Sequence, residues 1–352
     1  MTVDRKEIHI GPHTIGDAYP PFVMAEAGVH HYNSVELAKE YLRQARLAGA
    51  HAVKFQTYNA ERLAARWAPT YWDEGSGRTQ YDVFAERSKL TEGEYRELFA
   101  YAAELGVLLL STPFDPDSAR MLDDLGMPAF KIASADITDL PMLRVISTFG
   151  KPILLSTGAS SMNEIKRTVD ALRPSGCALA LLHCTLTYPT AIKDANLRRI
   201  TVLREEFPDL VTGYSDHTQP QDSELACPLA VGLGARVVEK HYTLNKALRE
   251  DDHYHAVDQA GLCRLVRNCR DAWEQTWPYN EVSESEMAAR TYARRSIVAA
   301  RDLPAGHVIG EGDVDAKRPG TGISPVEIDS VVGRRTSRGF VADELIAPDG
   351  LE

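Results

Sequence analysis

The stretch Leu210-Val211-Thr212-Gly213-Tyr214-Ser215-Asp216-His217-Thr218 is a short apolar run that ends in Ser, Asp and His instead of simple turn residues. One strand-plus-helix length later the pattern returns as Arg236-Val237-Val238-Glu239-Lys240-His241. Side chains alternate across a strand, so Val237, Glu239 and His241 share one face and Val238 and Lys240 take the other. Two histidines at the ends of successive parallel strands then converge on one point.

Working outward, apolar runs of the same kind occur at Phe22 to Glu26, Ala52 to Gln56, Val107 to Ser111, Ala129 to Ala133, Pro152 to Ser156 and Ala178 to Cys184, which with the two above makes eight. Helix-length patterns separate them: Val35 to Ala48, Thr91 to Leu105, Pro116 to Leu125, Leu140 to Thr148, Met162 to Leu172, Leu197 to Phe207, Ser223 to Leu233 and Gln259 to Gln275. Eight strand-then-helix units over about 250 residues predict a closed (β/α)8 TIM barrel, ahead of an open doubly wound sheet. The connection from Thr57 to Leu90 is too long for an ordinary βα loop and carries Trp67, Tyr71, Trp72, Tyr81 and Gly75-Ser76-Gly77. Such loops serve as lids or binding elements, or simply cover the edge of the barrel.

The pattern changes after Trp277. Residues 1–277 read as the barrel, 278–293 as a Glu/Ser-rich linker with room for a helical turn or two, and 294–352 as a small β-rich domain punctuated by Gly and Pro. The 352-residue chain is 44% hydrophobic and 25% charged, ordinary values for a globular protein. No run approaches the roughly 18 apolar residues of a membrane span, and residues 1–21 lack an apolar signal core, so a cytoplasmic location is expected. The formal net charge of −11 argues against nucleic-acid binding but not against a small anionic substrate, because a few local cations can outweigh the average field. Five cysteines without a CxxC pair read as reduced, mostly buried thiols.

Barrel enzymes carry their chemistry at the C-terminal strand ends, and polar groups gather there. In order they are Glu26, Lys54 with Gln56, Thr112 to Asp115, Lys131 with Ser134, Ser156-Thr157-Gly158, His183 with Tyr188, Ser215 with His217, and Glu239 with His241. Lys54 and Lys131, each flanked by apolar residues, need anionic partners inside a barrel. These are either a bound phosphate or carboxylate, cradled by Thr112, Ser134, Ser156 and Ser215, or structural carboxylates such as Asp115 and Asp136. His217 and His241, with Asp216, Glu239 and Asp252 nearby, suit a divalent metal. Taken separately, each reads as a hydrogen-bonded structural histidine. Glu26 faces them as a base or a partner for a substrate hydroxyl, or as the ion-pair partner of a lysine.

Read together, Ala25-Glu26-Ala27-Gly28, Gly49 to Gln56, Lys89-Leu90-Thr91, Ser111 to Asp115, Lys131 to Asp136, Ser156-Thr157-Gly158, His183-Cys184-Thr185, Tyr188-Pro189, Gly213 to Thr218 and Glu239 to Thr243 resemble the sialic acid synthase family. Arg295-Ser296-Ile297, the turn Asp302 to Gly306 and Lys317 to Ile323 resemble the family's antifreeze-like (SAF) domain. The resemblance implies condensation of phosphoenolpyruvate with the open-chain aldehyde of an N-acetylated amino sugar, giving a nonulosonic acid and phosphate. It implies that His217 and His241 hold Mn2+, with Mg2+ or Co2+ as alternatives. Lys54, Thr112, Lys131, Ser134, Ser156 and Ser215 are then the phosphoenolpyruvate contacts. Glu26, Gln56 and Tyr188 face the reacting atoms, Asp252 faces the sugar, and Arg318 reaches the sugar's acyl group from the partner subunit of a domain-swapped homodimer.

The chain departs from the family at Val29-His30-His31, at Leu186, and at Glu250-Asp251-Asp252-His253 followed by Tyr254-His255. These departures fall near the sugar. They keep open a synthase acting on a different aldose or aldehyde, and a non-catalytic sugar-binding barrel.

Overall fold

A computed structural model describes residues 7–72, 77–220, 224–248, 252–278 and 281–352, so Gly75, Ser76, Glu250 and Asp251 lie outside the described residues. The chain divides into two compact units, Met1–Pro278 and Tyr279–Glu352.

In the first unit a short antiparallel hairpin, β1 (Ile8–Ile10) and β2 (His13–Ile15), precedes eight parallel strands: β3 (Phe22–Gly28), β4 (Ala52–Thr57), β5 (Leu108–Pro113), β6 (Phe130–Ile132), β7 (Ile153–Ser156), β8 (Leu179–Cys184), β9 (Val211–Asp216) and β10 (Val237–His241). Their hydrogen-bonded order is β5-β4-β3-β10-β9-β8-β7-β6, and β5 and β6 come into contact to close the ring. All eight strands expected from the sequence are present, within one or two residues at nearly every end. The hairpin was not expected. Its Ile8, Ile10 and Ile15 are buried, Gly11 at its turn approaches Leu108, and His13 packs on Phe22 and His51, so it covers the N-terminal end of the barrel.

Helices follow where the apolar periodicity placed them, and their ends are set by local chemistry. Ser34 caps Val35–Leu47, Thr91 and Glu94 form a capping box on Glu92–Leu105, and Ser161 with Glu164 do the same for Met162–Leu172. Left-handed Gly106 ends the second of these. The long 57–90 connection contains two short helices, Ala60–Leu63 and Gln80–Phe84, and brings the Tyr71 ring to 6.5 Å from that of Tyr188.

The second unit has its own core of Ile297, Ala299, Leu303, Ile309, Val331, Phe340 and Ile346 around strands β11 (Ser296–Ala299) and β12 (Val314–Lys317). Part of the stretch read as linker is helical, with a 3-10 turn at Glu284–Glu286 and a helix at Met287–Tyr292.

Because the eight strands are parallel, their C-terminal ends share one face. Register decides what meets there: Glu26 lies beside both His241 and Lys54, and Glu239 beside Ser215, with an irregularity in β3 between Glu26 and Gly28. At Gly213 an added Cβ meets the carbonyl oxygen of Val237 at 2.6 Å. Gly213→Ala is therefore expected to lose about 1–3 kcal/mol through overpacking, read as a lower denaturant midpoint with an unchanged slope.

Candidate active site

Four charged side chains from four strands form an alternating chain at the barrel mouth. Lys54 Nζ lies 2.7 Å from Glu26 Oε2 and 3.3 Å from Glu239 Oε1, and Lys131 Nζ lies 3.2 Å from Glu239 Oε2. All four are buried. Gln56 Nε2 donates to Glu26 at 3.0 Å and Lys54 donates to Thr112 Oγ1 at 2.8 Å. Burial works against ionisation of Glu239, but Lys131 and Lys54 outweigh it and hold the carboxyl down at about 2. At Glu26 burial prevails over the pull of Lys54 and pushes the carboxyl up to about 7. One carboxylate is thus firmly ionised while the other is poised to exchange a proton near neutrality.

The hydroxyls expected around the lysines are buried as well. Ser134 Oγ accepts from the N–H of Gly158 at 2.9 Å, and Ser156 Oγ has no hydrogen-bond partner among the described residues. A Cβ on Gly158 would meet Ser134 Oγ at 2.8 Å, so only glycine lets these segments approach. Ser215 is buried on β9 beside Glu239.

Against this charged wall stands a cluster of rings. His217 and His241 have centroids 5.1 Å apart, His255 lies 4.5 Å from His241, and Tyr188 lies 4.3 Å from His217. His217 Nδ1 is 3.0 Å from the Thr185 carbonyl, which requires a proton on Nδ1 and leaves Nε2 for a ligand. Burial opposes protonation of His217, yet Cys184, 3.6 Å from Nδ1, the Thr185 carbonyl and Glu239 together raise it to about 9, so a cation taking Nε2 would displace a proton from that nitrogen. Burial and the neighbouring His255 and His217 instead drive His241 well below its usual value, so it is neutral. Asp252 reaches to 3.5 Å from His241 Nδ1, an atom with no hydrogen-bond partner. Buried imidazole nitrogens without partners, next to a carboxylate, fit a divalent cation, which repays their lost hydration.

The family model for the NeuB family matches residues 41–277, and that for the SAF domain matches residues 294–352. The chain is 37% identical to N,N'-diacetyllegionaminic acid synthase of Legionella pneumophila, with all of both chains covered. Among solved structures, N-acetylneuraminic acid synthetase of Leptospira borgpetersenii is 30% identical with a TM-score of 0.73, covering 81% of this chain and 95% of that one. A putative spore coat polysaccharide biosynthesis protein E of Chromobacterium violaceum is 26% identical with a TM-score of 0.79, covering 94% and 99%. The chain belongs to the NeuB family. NeuB synthases of the sialic acid type are phosphoenolpyruvate-dependent condensing enzymes, which sets the class of enzyme.

Several side chains of this NeuB-family protein serve differently from what its sequence implied. Lys54 pairs with Glu26, one of the two readings of that residue, but the carboxylate that bridges Lys54 and Lys131 is Glu239, not Asp115 or Asp136. Asp115 caps the helix Pro116–Asp124 through the N–H groups of Asp117 and Ser118, and Asp136 is pushed up to about 7 by burial and Asp139. Asp216 is turned to the other face of β9, where it pairs with Lys240 at 2.8 Å and accepts from Tyr214 and Thr218. His183 is held by the Ala195 carbonyl at 2.8 Å, so its neighbour Cys184 looks into the site in its place, and alternation along β8 is the signal that separates the two. Asp252 lies beside His241 and His255, in keeping with its reading near the paired histidines. In the second unit Lys317 is paired with Asp343, and Arg318 is exposed.

Glu239→Gln leaves two buried lysines with one carboxylate and is expected to cost about 3–5 kcal/mol of unfolding free energy at neutral pH. Since the folded-state pKa of Glu239 lies below its ordinary 4.5, its contribution is present above that value and is lost as pH falls toward about 2. The gap between wild type and variant in denaturant unfolding therefore narrows through that window.

Proposed function

We propose that this chain condenses phosphoenolpyruvate with the open-chain aldehyde of an N-acetylated amino sugar, giving a nonulosonic acid and inorganic phosphate. The observation that carries the reading is the pair of facing walls: buried lysines with hydroxyls for an anion, and clustered imidazoles beside them for a cation.

In this reading Lys54 and Lys131 bind the anionic groups of phosphoenolpyruvate, helped by Thr112, Ser134, Ser156 and Ser215. Ser156, whose hydroxyl lacks a partner, is available to donate to an oxyanion. His217 and His241 would hold the divalent ion, Mn2+ by likeness to the family, which supplies Lewis-acid polarisation of the aldehyde oxygen. C3 of phosphoenolpyruvate forms the new bond to the aldehyde carbon, whose oxygen takes up a proton. Water adds at C2, and the tetrahedral centre collapses to a ketone by breaking the C2–O bond, releasing phosphate. Glu26, poised near neutrality and oriented by Gln56, accepts the proton of the adding water. Tyr188, packed on His217 and near Tyr71, closes the ring side of the site. The walls hold the reacting carbons together, which is where positioning lowers the barrier.

The acceptor is the open variable. The relatives just described are named for diacetyllegionaminic and N-acetylneuraminic acids, and the segment ending in Asp252-His253-Tyr254-His255 departs from the family pattern. Release of phosphate is expected only when phosphoenolpyruvate, a divalent ion and an accepted sugar are all present, with product mass naming the sugar from a panel of N-acetylmannosamine, its 6-phosphate, mannose and diacetamido-trideoxyhexoses. Turnover that survives both EDTA and His217→Ala refutes the reading. Sugar binding in calorimetry without a condensed product from any acceptor favours a non-catalytic barrel.

The reading includes a domain-swapped homodimer in which the second unit of one protomer serves the barrel of its partner and Arg318 meets the sugar's acyl group. Its support is the exposure of Arg318 together with the family likeness. Mixing inactive Arg318→Ala with inactive His217→Ala should restore about a quarter of wild-type activity through heterodimers holding one intact site. No recovery after verified subunit exchange counts against the swap.

A further inference from the structure

His255 is a fully buried residue of the site that the reaction above leaves without a role. None of its surface is exposed, and neither ring nitrogen has a hydrogen-bond partner among the described residues. Core histidines are ordinarily tied by at least one nitrogen. In this chain His183 is tied to the Ala195 carbonyl, and His253 to Thr243 and Tyr32. Among the described residues His255 has no tie of that kind. It ends the 3-10 turn His253–His255, between His253 and the buried Ala256, next to Tyr254, whose hydroxyl donates to the Tyr188 carbonyl at 3.1 Å.

A cation held among its neighbours would supply the missing partner. The ring lies 4.5 Å from His241 and 6.1 Å from His217, and Nε2 is 4.0 Å from Asp252 Oδ1. One donor atom from each of His241, Asp252 and His255 lies within 4.8 Å of the others. Ligands bound at about 2.0–2.2 Å from one ion sit roughly 3–4.4 Å apart, so these atoms need to close in by only a fraction of an ångström to share one ion.

We propose that His255 is a third imidazole ligand of the cation site, joining His217 and His241 with Asp252 completing the donor set. The proposal rests on the reading of His217 and His241 as a cation site and refines which ion that site prefers. A site with three imidazoles and a single carboxylate favours nitrogen-preferring ions such as Zn2+ or Fe2+, whereas Mg2+ and Mn2+ prefer oxygen and water. The departure at Tyr254-His255 then alters the metal chemistry of this chain as well as the neighbourhood of the sugar.

The test titrates metal-stripped full-length protein with Co2+, a spectroscopic stand-in for Zn2+, following the visible d–d bands and, by calorimetry, the affinities for Co2+, Zn2+ and Mn2+. Wild type, His217→Ala, His255→Ala and His255→Gln are compared, with circular dichroism to check folding. Weakening of Co2+ binding by at least about tenfold in both His255 variants, a shift of their d–d bands, and a narrower Zn2+-over-Mn2+ preference in both variants than in wild type support the proposal. If His217→Ala abolishes binding while both His255 variants keep the wild-type affinity and spectrum, the third-ligand proposal falls and the cation site stands. If wild type binds no divalent ion, the cation reading and the proposal fall together. Should both His255 variants misfold, X-ray absorption of the Co2+-loaded wild type decides by counting imidazoles: three support the proposal and two overturn it.

Discussion

The alternating chain Glu26, Lys54, Glu239, Lys131 is the interaction on which the barrel mouth depends. It joins β3, β4, β10 and β6, and no two consecutive members lie on strands adjacent in sequence except Glu26 and Lys54. Each charge gives up hydration, and mutual attraction returns that cost only while all four are present. A hydrophobic quartet of similar volume would serve stability at least as well. The presence of charges therefore points to binding: two buried ammonium groups, already half-balanced, leave a positive region in which an incoming anion finds donors fixed in place.

The cation side of the site grows from the same strands. On β10, Glu239 and His241 project from one face two residues apart, so a single strand contributes to both the charge chain and the ring cluster. On β9 and its continuation, Ser215 and His217 repeat the arrangement. The outward-facing residues between them, Asp216 and Lys240, pair with each other and bind the two strands from behind. Parity along two neighbouring strands thus separates structural charge from reactive charge without any loop having to intervene.

The barrel was legible because its elements are long and periodic: eight apolar runs, helices of nine or more residues in several cases, and capping signals such as Thr91 with Glu94. The hairpin Ile8–Ile10 and His13–Ile15 was not, since a three-residue strand carries too little pattern to stand out from a loop. The site was legible in membership more than in pairing. Lys54, Lys131, His217 and His241 all come to the mouth, and Lys54 meets Glu26 as one reading of that residue had it, but the carboxylate bridging the two lysines is Glu239, where Asp115 and Asp136 had equal claim. At the end of β8 His183 was expected, but alternation turns Cys184 to the site and His183 to the Ala195 carbonyl.

What the sequence by itself determined is the order of strands and helices, the face on which each strand-end side chain lies, and membership in a family, since these rest on local periodicity and on ordered motifs. Only the tertiary structure decided which charges meet and which nitrogens are left idle. Closing the ring sets β10 beside β3 and brings Glu239 to Lys54, and the turn His253–His255 sets the ring of His255 beside His241. Such meetings depend on barrel register and on burial within a few ångströms, and neither is written in the spacing of residues along the chain.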